Sequence, residues 1–199
     1  DVIQNKLNHD LSMNIKKNMG DKTILVVDNF GPLSRAEGEI FLPKYAGETE
    51  AMYRERYDNF QKKQSERTDE RKNLIKLINQ IAQKTDYNIV LRPHPRSSRT
   101  FWKEKVVIPG RVLINDDYSG EVWINATKGL ISCGCSLGLE AVASFKNSVD
   151  YSQTHISKRS VSFQISRHAE DLESTMHEIE TQDNSQLIDG YKKLKYYWS

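Results

Sequence analysis

The chain reads as an α/β domain built on a doubly wound parallel sheet, and three observations predict it. Strand-length apolar runs alternate with helical stretches at the spacing that crossovers between parallel neighbours require. Thr23 to Val27 is a continuous, largely β-branched run ended by Asp28-Asn29-Phe30-Gly31-Pro32, as expected of a central strand buried on both faces. Gly129 to Ala141 passes from a short apolar strand through a small-residue loop into a helix. Right-handed crossovers cover both faces of such a sheet and bring the carboxyl ends of its strands to one edge, where open α/β sheets bind ligands.

Residues 1–22 form a polar lead-in, a linker helix with Ile3, Leu7, Leu11 and Ile15 at helical spacing. The domain proper is expected over 23–199. After the first strand, Asn29 and Gly31 stand at its carboxyl end as ligand-facing candidates. Leu33 to Gly47, with Pro43 and mixed charge, reads as a long irregular loop. Glu48 to Thr85 is strongly helical, with Leu74, Ile75, Leu77, Ile78, Ile81 and Ala82 as its core stripe. Tyr53, Tyr57 and Phe60 on the same helix are expected to pack, and the charges from Glu66 to Lys72 to form a solvated surface.

The second strand ends in Arg92-Pro93-His94-Pro95. The two prolines stop the ladder and fix φ, so Arg92 and His94 form a rigid cationic shelf for an anion. A short segment with Phe101 and Trp102 leads to a third strand at Arg111 to Asn115. Asp116 and Asp117 are expected to cap the following helix, Glu121 to Thr127. The fourth strand, Leu130 and Ile131, opens into Ser132 to Cys135 and then a helix from Leu137 to Phe145. Ser136 is the expected N-cap, its hydroxyl accepting from first-turn amides, with the positive end of the helix facing the loop. Gly134 admits a ligand close to the backbone, and Glu140 shares a face with Ser136, placed to accept from ribose hydroxyls. A fifth strand at Ser148 to Tyr151 is followed by a loop carrying His155, Lys158 and Arg159. A sixth strand is expected at Val161 to Ile165, and two helices, 169–180 and 185–197, end the domain.

Composition narrows the partners. With 37 % hydrophobic and 28 % charged residues the chain has the make-up of a soluble globular protein, and a net charge of +2 with no arginine–aromatic patch argues against nucleic acid. Cys133 and Cys135 lack the further ligands a zinc site needs, so no metal is expected, and they read as small buried residues of a reducing compartment. The start Asp1-Val2-Ile3-Gln4 lacks a methionine, from which the chain is expected to begin inside a longer reading frame.

Ile24 to Gly31, Ile89-Val90-Leu91-Arg92-Pro93-His94-Pro95, Trp123-Ile124-Asn125-Ala126, and Leu130-Ile131 followed after three residues by Cys135-Ser136-Leu137-Gly138-Leu139-Glu140-Ala141 together resemble bacterial surface-carbohydrate biosynthesis proteins. These look like GT-B glycosyltransferases related in motif to enzymes that use CMP-activated acidic sugars such as Kdo or sialic acid. The resemblance spans residues 23 to 151 and implies the Rossmann-like, carboxyl-terminal domain of such an enzyme. It departs from the family pattern at Ser132, where histidine is common, and at Asp28 beside Asn29. The amino-terminal acceptor domain has no counterpart in the chain, so this half is expected to bind without turning over.

The implied function is donor binding in a transferase of capsule, O-antigen or related glycan assembly, without metal or cofactor. A nucleotide sugar, CMP-linked in preference to UDP-linked, would meet Asn29, Gly31, Arg92, His94, Pro95, Gly134, Cys135, Ser136 and Glu140. The catalytic base is not among them. The acceptor would be a glycan or lipid-linked glycan. The expected location is cytoplasmic, at the face of the inner membrane where assembly machinery sits. Two alternatives stay open, an epimerase of the UDP-N-acetylglucosamine 2-epimerase type with Asp116, Asp117 or Glu140 as acid–base groups, and a non-catalytic nucleotide-sugar-binding subunit.

Overall fold

The computed structural model describes residues 2–30, 44–106, 108, 110–154, 157–181 and 184–198. Strands β1 (Thr23–Val27), β2 (Asn88–Arg92), β3 (Val112–Ile114), β4 (Gly129–Ser132), β5 (Asn147–Asp150) and β6 (Arg167–His168) form one sheet. Its order is β3-β2-β1-β4-β5-β6 with every pairing parallel, the doubly wound arrangement of a Rossmann-like fold. The chain winds outward from β1 to β3, then returns to set β4 beside β1. The connections leaving β1 and β4 therefore diverge, the arrangement that in open α/β sheets sets a ligand crevice between them at the carboxyl edge.

Alternate residues of β1 serve opposite layers. Ile24 and Val26 face α2 (Glu50–Lys84), α3 (Arg99–Lys105) and α7 (Leu172–Glu180), in a core that includes Leu74, Ile78, Trp102 and Ile179. Leu25 and Val27 face α4 (Gly120–Ala126) and α5 (Leu137–Ala143) through Trp123, Ile124, Leu130 and Leu137. A smaller cluster, Val142, Ile165 and Leu194, joins α5 to α6 (Val161–Ile165) and α8 (Asn184–Trp198). No described helix is long and apolar enough to cross a membrane.

The lead-in is helix α1 (Val2–Met19), which lies against α4. Its docking residues differ from the apolar stripe. Leu7 is exposed, whereas Asn8 and Ser12 are buried, donating to Glu121 Oε2 at 2.9 Å and to the Val122 carbonyl at 3.0 Å. Ile15 and Met19 complete the contact with the core.

Helix α2 has 35 residues, about 52 Å at 1.5 Å per residue, but its buried residues run only from Glu70 to Ala82. Its first half therefore projects past the carboxyl edge. There the Arg56 guanidinium lies 4.2 Å from the centre of the Tyr45 ring and 5.5 Å from that of Tyr53, and it pairs with Glu48. Tyr53 in turn meets Tyr57 at 6.0 Å, so these aromatics do pack, against their own helix end rather than the sheet.

Three expectations are corrected. Val161 to Ile165 is a one-turn helix, α6, and the sixth strand is Arg167–His168. The apolar positions 161, 163 and 165 imitate a strand period, but the Ser160 hydroxyl accepts from the Phe163 amide at 3.1 Å and starts a helix. Helix α7 begins at Leu172 rather than Ala169, because Asp171 and Ser174 close a capping box there. The helix after Ile131 stops at Ala143. Phe145 then takes the left-handed position of a Schellman turn, with φ of 52° and the Lys146 amide bonded to the Ala141 carbonyl at 2.9 Å.

The left-handed Phe145 costs about 1–2 kcal/mol, and its ring contact with Tyr191, centroids 5.1 Å apart, offsets about 0.5–1.5 kcal/mol. Phe145→Gly alone is expected to change stability by less than about 1 kcal/mol, and in a Tyr191→Ala background to raise it by about 1 kcal/mol, since only the strain is then removed. Urea denaturation of the four proteins measures both.

Candidate functional site

At the end of β1, Asp28 is buried to 1 % exposure. Its Oδ1 accepts from the Phe30 amide at 2.7 Å, closing a short Asx turn, while Oδ2 accepts from the His94 amide at 3.3 Å and from Trp102 Nε1 at 2.9 Å. One carboxylate thus joins the ends of β1 and β2 to helix α3. His94 is half-buried, and its Nδ1 accepts from the Arg96 amide at 3.0 Å. With Nδ1 accepting, Nε2 is the ring atom that carries the N–H. Pro93 is buried and Pro95 exposed, so the shelf is held at its base and open at its rim.

Across the crevice, β5 repeats the device. Asp150 is fully buried, with Oδ1 accepting from the Ser152 amide and Oδ2 from the Gly134 amide, each at 3.0 Å. Burial pushes its carboxyl above the ordinary value, and the two amides pull the other way without prevailing. Gly134 has φ of 74°, a left-handed conformation suited to glycine. The Asn29 side-chain amide donates to the carbonyls of Cys133 and Gly134 at 3.3 and 3.2 Å, tying the β1 end to the β4–α5 loop. Asn29 is therefore a clasp between loops. Gly31, its expected companion, lies outside the described residues, as do Leu33 to Pro43 and His155.

The loop differs from expectation at Ser136. Its φ and ψ of −59° and −24° are already helical, and its hydroxyl makes no capping bond. An N-cap needs extended backbone to turn its oxygen back on the first-turn amides. Here the Cys135 carbonyl accepts from the Gly138 amide at 2.9 Å, so the first turn starts a residue early and the Ser136 side chain is exposed. The Cys135 thiol, half-buried, is raised by burial against the opposing pull of the Leu137 amide and Arg92. Cys133 is buried and pushed well up by burial and by Glu70 and Asp150. Neither thiol is activated.

Arg92 continues the face of β2 that carries Val90, so its side chain lies on the α4–α5 side of the sheet. Its positive charge lowers both the Cys135 thiol and the Glu140 carboxyl against the effect of burial. Glu140 is raised by burial, with Arg92 opposing and Glu121 assisting. Arg92 itself is half-buried, its Nε is closed to solvent without a hydrogen-bond partner, and it makes no salt bridge among the described residues. A polar atom closed to water without a partner is costly to keep, which sets Arg92 apart from the paired cations of the fold.

Asp116 and Asp117 do not cap a helix. Both pair with Arg99, and Ser119 caps α4 by accepting from the Val122 amide. No group of three or more His, Cys, Asp and Glu among the described residues is arranged to hold a metal. A groove of about 470 Å³ between α2 and α7, lined in part by Lys76, Lys84, Tyr151 and Glu170, lies on the other face of the sheet and contains none of the groups above.

Sequence reasoning missed Glu70, placed in a solvated charge run. It is 1 % exposed, with Oε1 accepting from the amides of Gln153 and Thr154 at 3.0 and 3.3 Å and Oε2 pairing with Arg67 at 3.3 Å. Arg67 reaches the Asn29 carbonyl and lies over the Phe30 ring at 4.8 Å. No family model, curated protein or solved structure matches the chain.

Proposed function

We propose that the carboxyl-edge crevice binds the donor of a glycosyltransferase, a nucleotide sugar used in bacterial surface-glycan assembly. The observation that carries this reading is Arg92, a half-buried guanidinium with no salt bridge among the described residues, at the end of β2, the neighbour of the β1 strand from which the order reverses to β4. Charge recognition falls to Arg92 rather than to helix α5, whose seven residues supply a weak dipole. His94 Nε2–H and the exposed Ser136 hydroxyl are further donors on the same edge. Glu140 would accept from a ribose. These groups bind and orient a phosphate where negative charge develops as the leaving nucleotide departs. The acceptor would be a glycan or lipid-linked glycan.

The raised carboxyl of Glu140 favours a second reading. A carboxyl placed to exchange a proton beside a sugar ring suits an epimerase. A binding subunit without catalysis would keep the same contacts.

Thermal denaturation with CMP, UDP and their sugars tests the proposal. At a ligand concentration of 100 Kd, binding adds about 2.7 kcal/mol, which raises Tm by about 5–10 °C in a chain of this size. Stabilisation by CMP supports transferase-type donor binding, and stabilisation by UDP with interconversion of UDP-N-acetylhexosamines supports the epimerase. No shift with any nucleotide sinks both.

A further inference from the structure

Two buried aspartates flank the crevice with the same geometry. Each ends a central strand, closes an Asx turn on the amide two residues on, and gives its second oxygen to the loop of a neighbouring strand. Asp28 on β1 takes the His94 amide at 3.3 Å, and Asp150 on β5 takes the Gly134 amide at 3.0 Å. Their exposures, 1 % and 0 %, exclude direct contact with a ligand. A carboxylate is also a poor neighbour for an anion. Two negative charges buried beside an anion site weaken binding by charge alone, so their presence calls for a role that outweighs the repulsion.

We infer that Asp28 and Asp150 are positioning residues, Asp28 fixing the His94 shelf and Asp150 fixing the Gly134–Cys135 loop. The inference rests on the nucleotide-binding reading only for its functional half. Asp28 is placed to do this because its acceptor sites are filled from three elements, the β1 loop, the β2 loop and the α3 indole, so the His94 backbone cannot move without breaking a charge-assisted bond. Asparagine has the same shape but turns one acceptor into a donor, which faces an N–H and repels it.

The test uses the full chain with uniform nitrogen-15 labelling. In the ligand-free protein, Asp28→Asn is expected to shift the His94 and Phe30 amide resonances and leave Gly134 in place, and Asp150→Asn to shift Gly134 and Ser152 and leave His94 in place. In CMP titrations, Asp28→Asn is expected to weaken binding about tenfold or more although it removes a negative charge, and to add nothing further in a His94→Ala background. A charge effect alone has the opposite sign and would tighten binding. An unmoved His94 amide, or CMP affinity that is equal or tighter, overturns the inference. If the wild-type chain does not bind CMP, the donor-site reading fails while the ligand-free shifts still decide the positioning. If Asp28→Asn does not fold, Trp102→Phe replaces it. Loss of the indole N–H removes a competing donor from the oxygen that the His94 amide shares with it, and the His94 proton resonance should move downfield; an unchanged resonance counts against the inference.

Discussion

Glu70→Ala is expected to lower stability by about 3–5 kcal/mol, the cost of removing one partner from a buried ion pair. The truncation removes the carboxylate that pairs with Arg67 and deprives the Gln153 and Thr154 amides of their shared acceptor. Alanine favours the helix at position 70, but by less than about 0.7 kcal/mol, too little to compensate. At about 2–4 °C per kcal/mol, Tm should fall by about 6–20 °C. Glu70→Gln separates the two roles. It keeps an oxygen for the loop amides and gives up the charge facing Arg67, so its loss should be about half as large. Hydrogen exchange at Gln153 and Thr154 adds a local readout, since these amides should exchange faster in the alanine variant before global unfolding contributes. A loss below about 1 kcal/mol for Glu70→Ala would mean that the loop after β5 is held by other contacts.

The position of Glu70 explains what could and could not be read from the chain. Glu70, Leu74, Leu77 and Ile81 lie at i, i+4, i+7 and i+11 on α2, so the carboxylate continues the core stripe; the surrounding run of charges hid it. The strands were readable where burial on both faces leaves a continuous apolar run, as in Ile24 to Val27. They were not readable at β6, whose two residues sit at the sheet edge and include Arg167, held by the Glu178 side chain and the Thr181 carbonyl. That strand exists through tertiary contacts. Val161 to Ile165 erred in the opposite sense, because three apolar residues at period 2 satisfy a strand pattern and a single helical turn equally well.

The site divides the same way. The sequence points to Arg92, His94 and Glu140 because strand ends and first helical turns are where a doubly wound sheet presents its groups. Asp28 reads in the sequence as part of the segment that stops β1, and Asp150 as one residue of a strand, so neither stands out as a buried anchor. What identifies them is burial at the sheet edge, which depends on neighbours far away in sequence: Trp102 lies 74 residues from Asp28, and Gly134 lies 16 residues from Asp150. Ser136 was misjudged for a local reason. Serine before a helix is the strongest capping signal, but the αR backbone at Ser136 shifts the start of the turn to Cys135.

Arg92→Ala should weaken nucleotide binding by about 2–5 kcal/mol, a loss of about 30-fold to several thousand-fold in affinity, as for truncating one side of a desolvated charge contact. The same substitution should leave the ligand-free protein no less stable. Arg92 forms no salt bridge among the described residues, its Nε is closed to water without a partner, and its removal relieves that desolvation. Opposite movements of affinity and stability are the mark of a group kept for a ligand, whereas a structural arginine would lower both. Arg92→Lys should recover part of the affinity, since a point charge replaces a planar fork that can take two phosphate oxygens at once. Wild-type affinity should fall as salt rises, and the Arg92→Ala variant should lose much of that dependence, because the screened charge is gone. Isothermal titration with CMP at two salt concentrations, together with urea denaturation of the apo proteins, measures both halves. If Arg92→Ala binds CMP as well as the wild type, the anion is held elsewhere and the crevice between β1 and β4 is not the donor site.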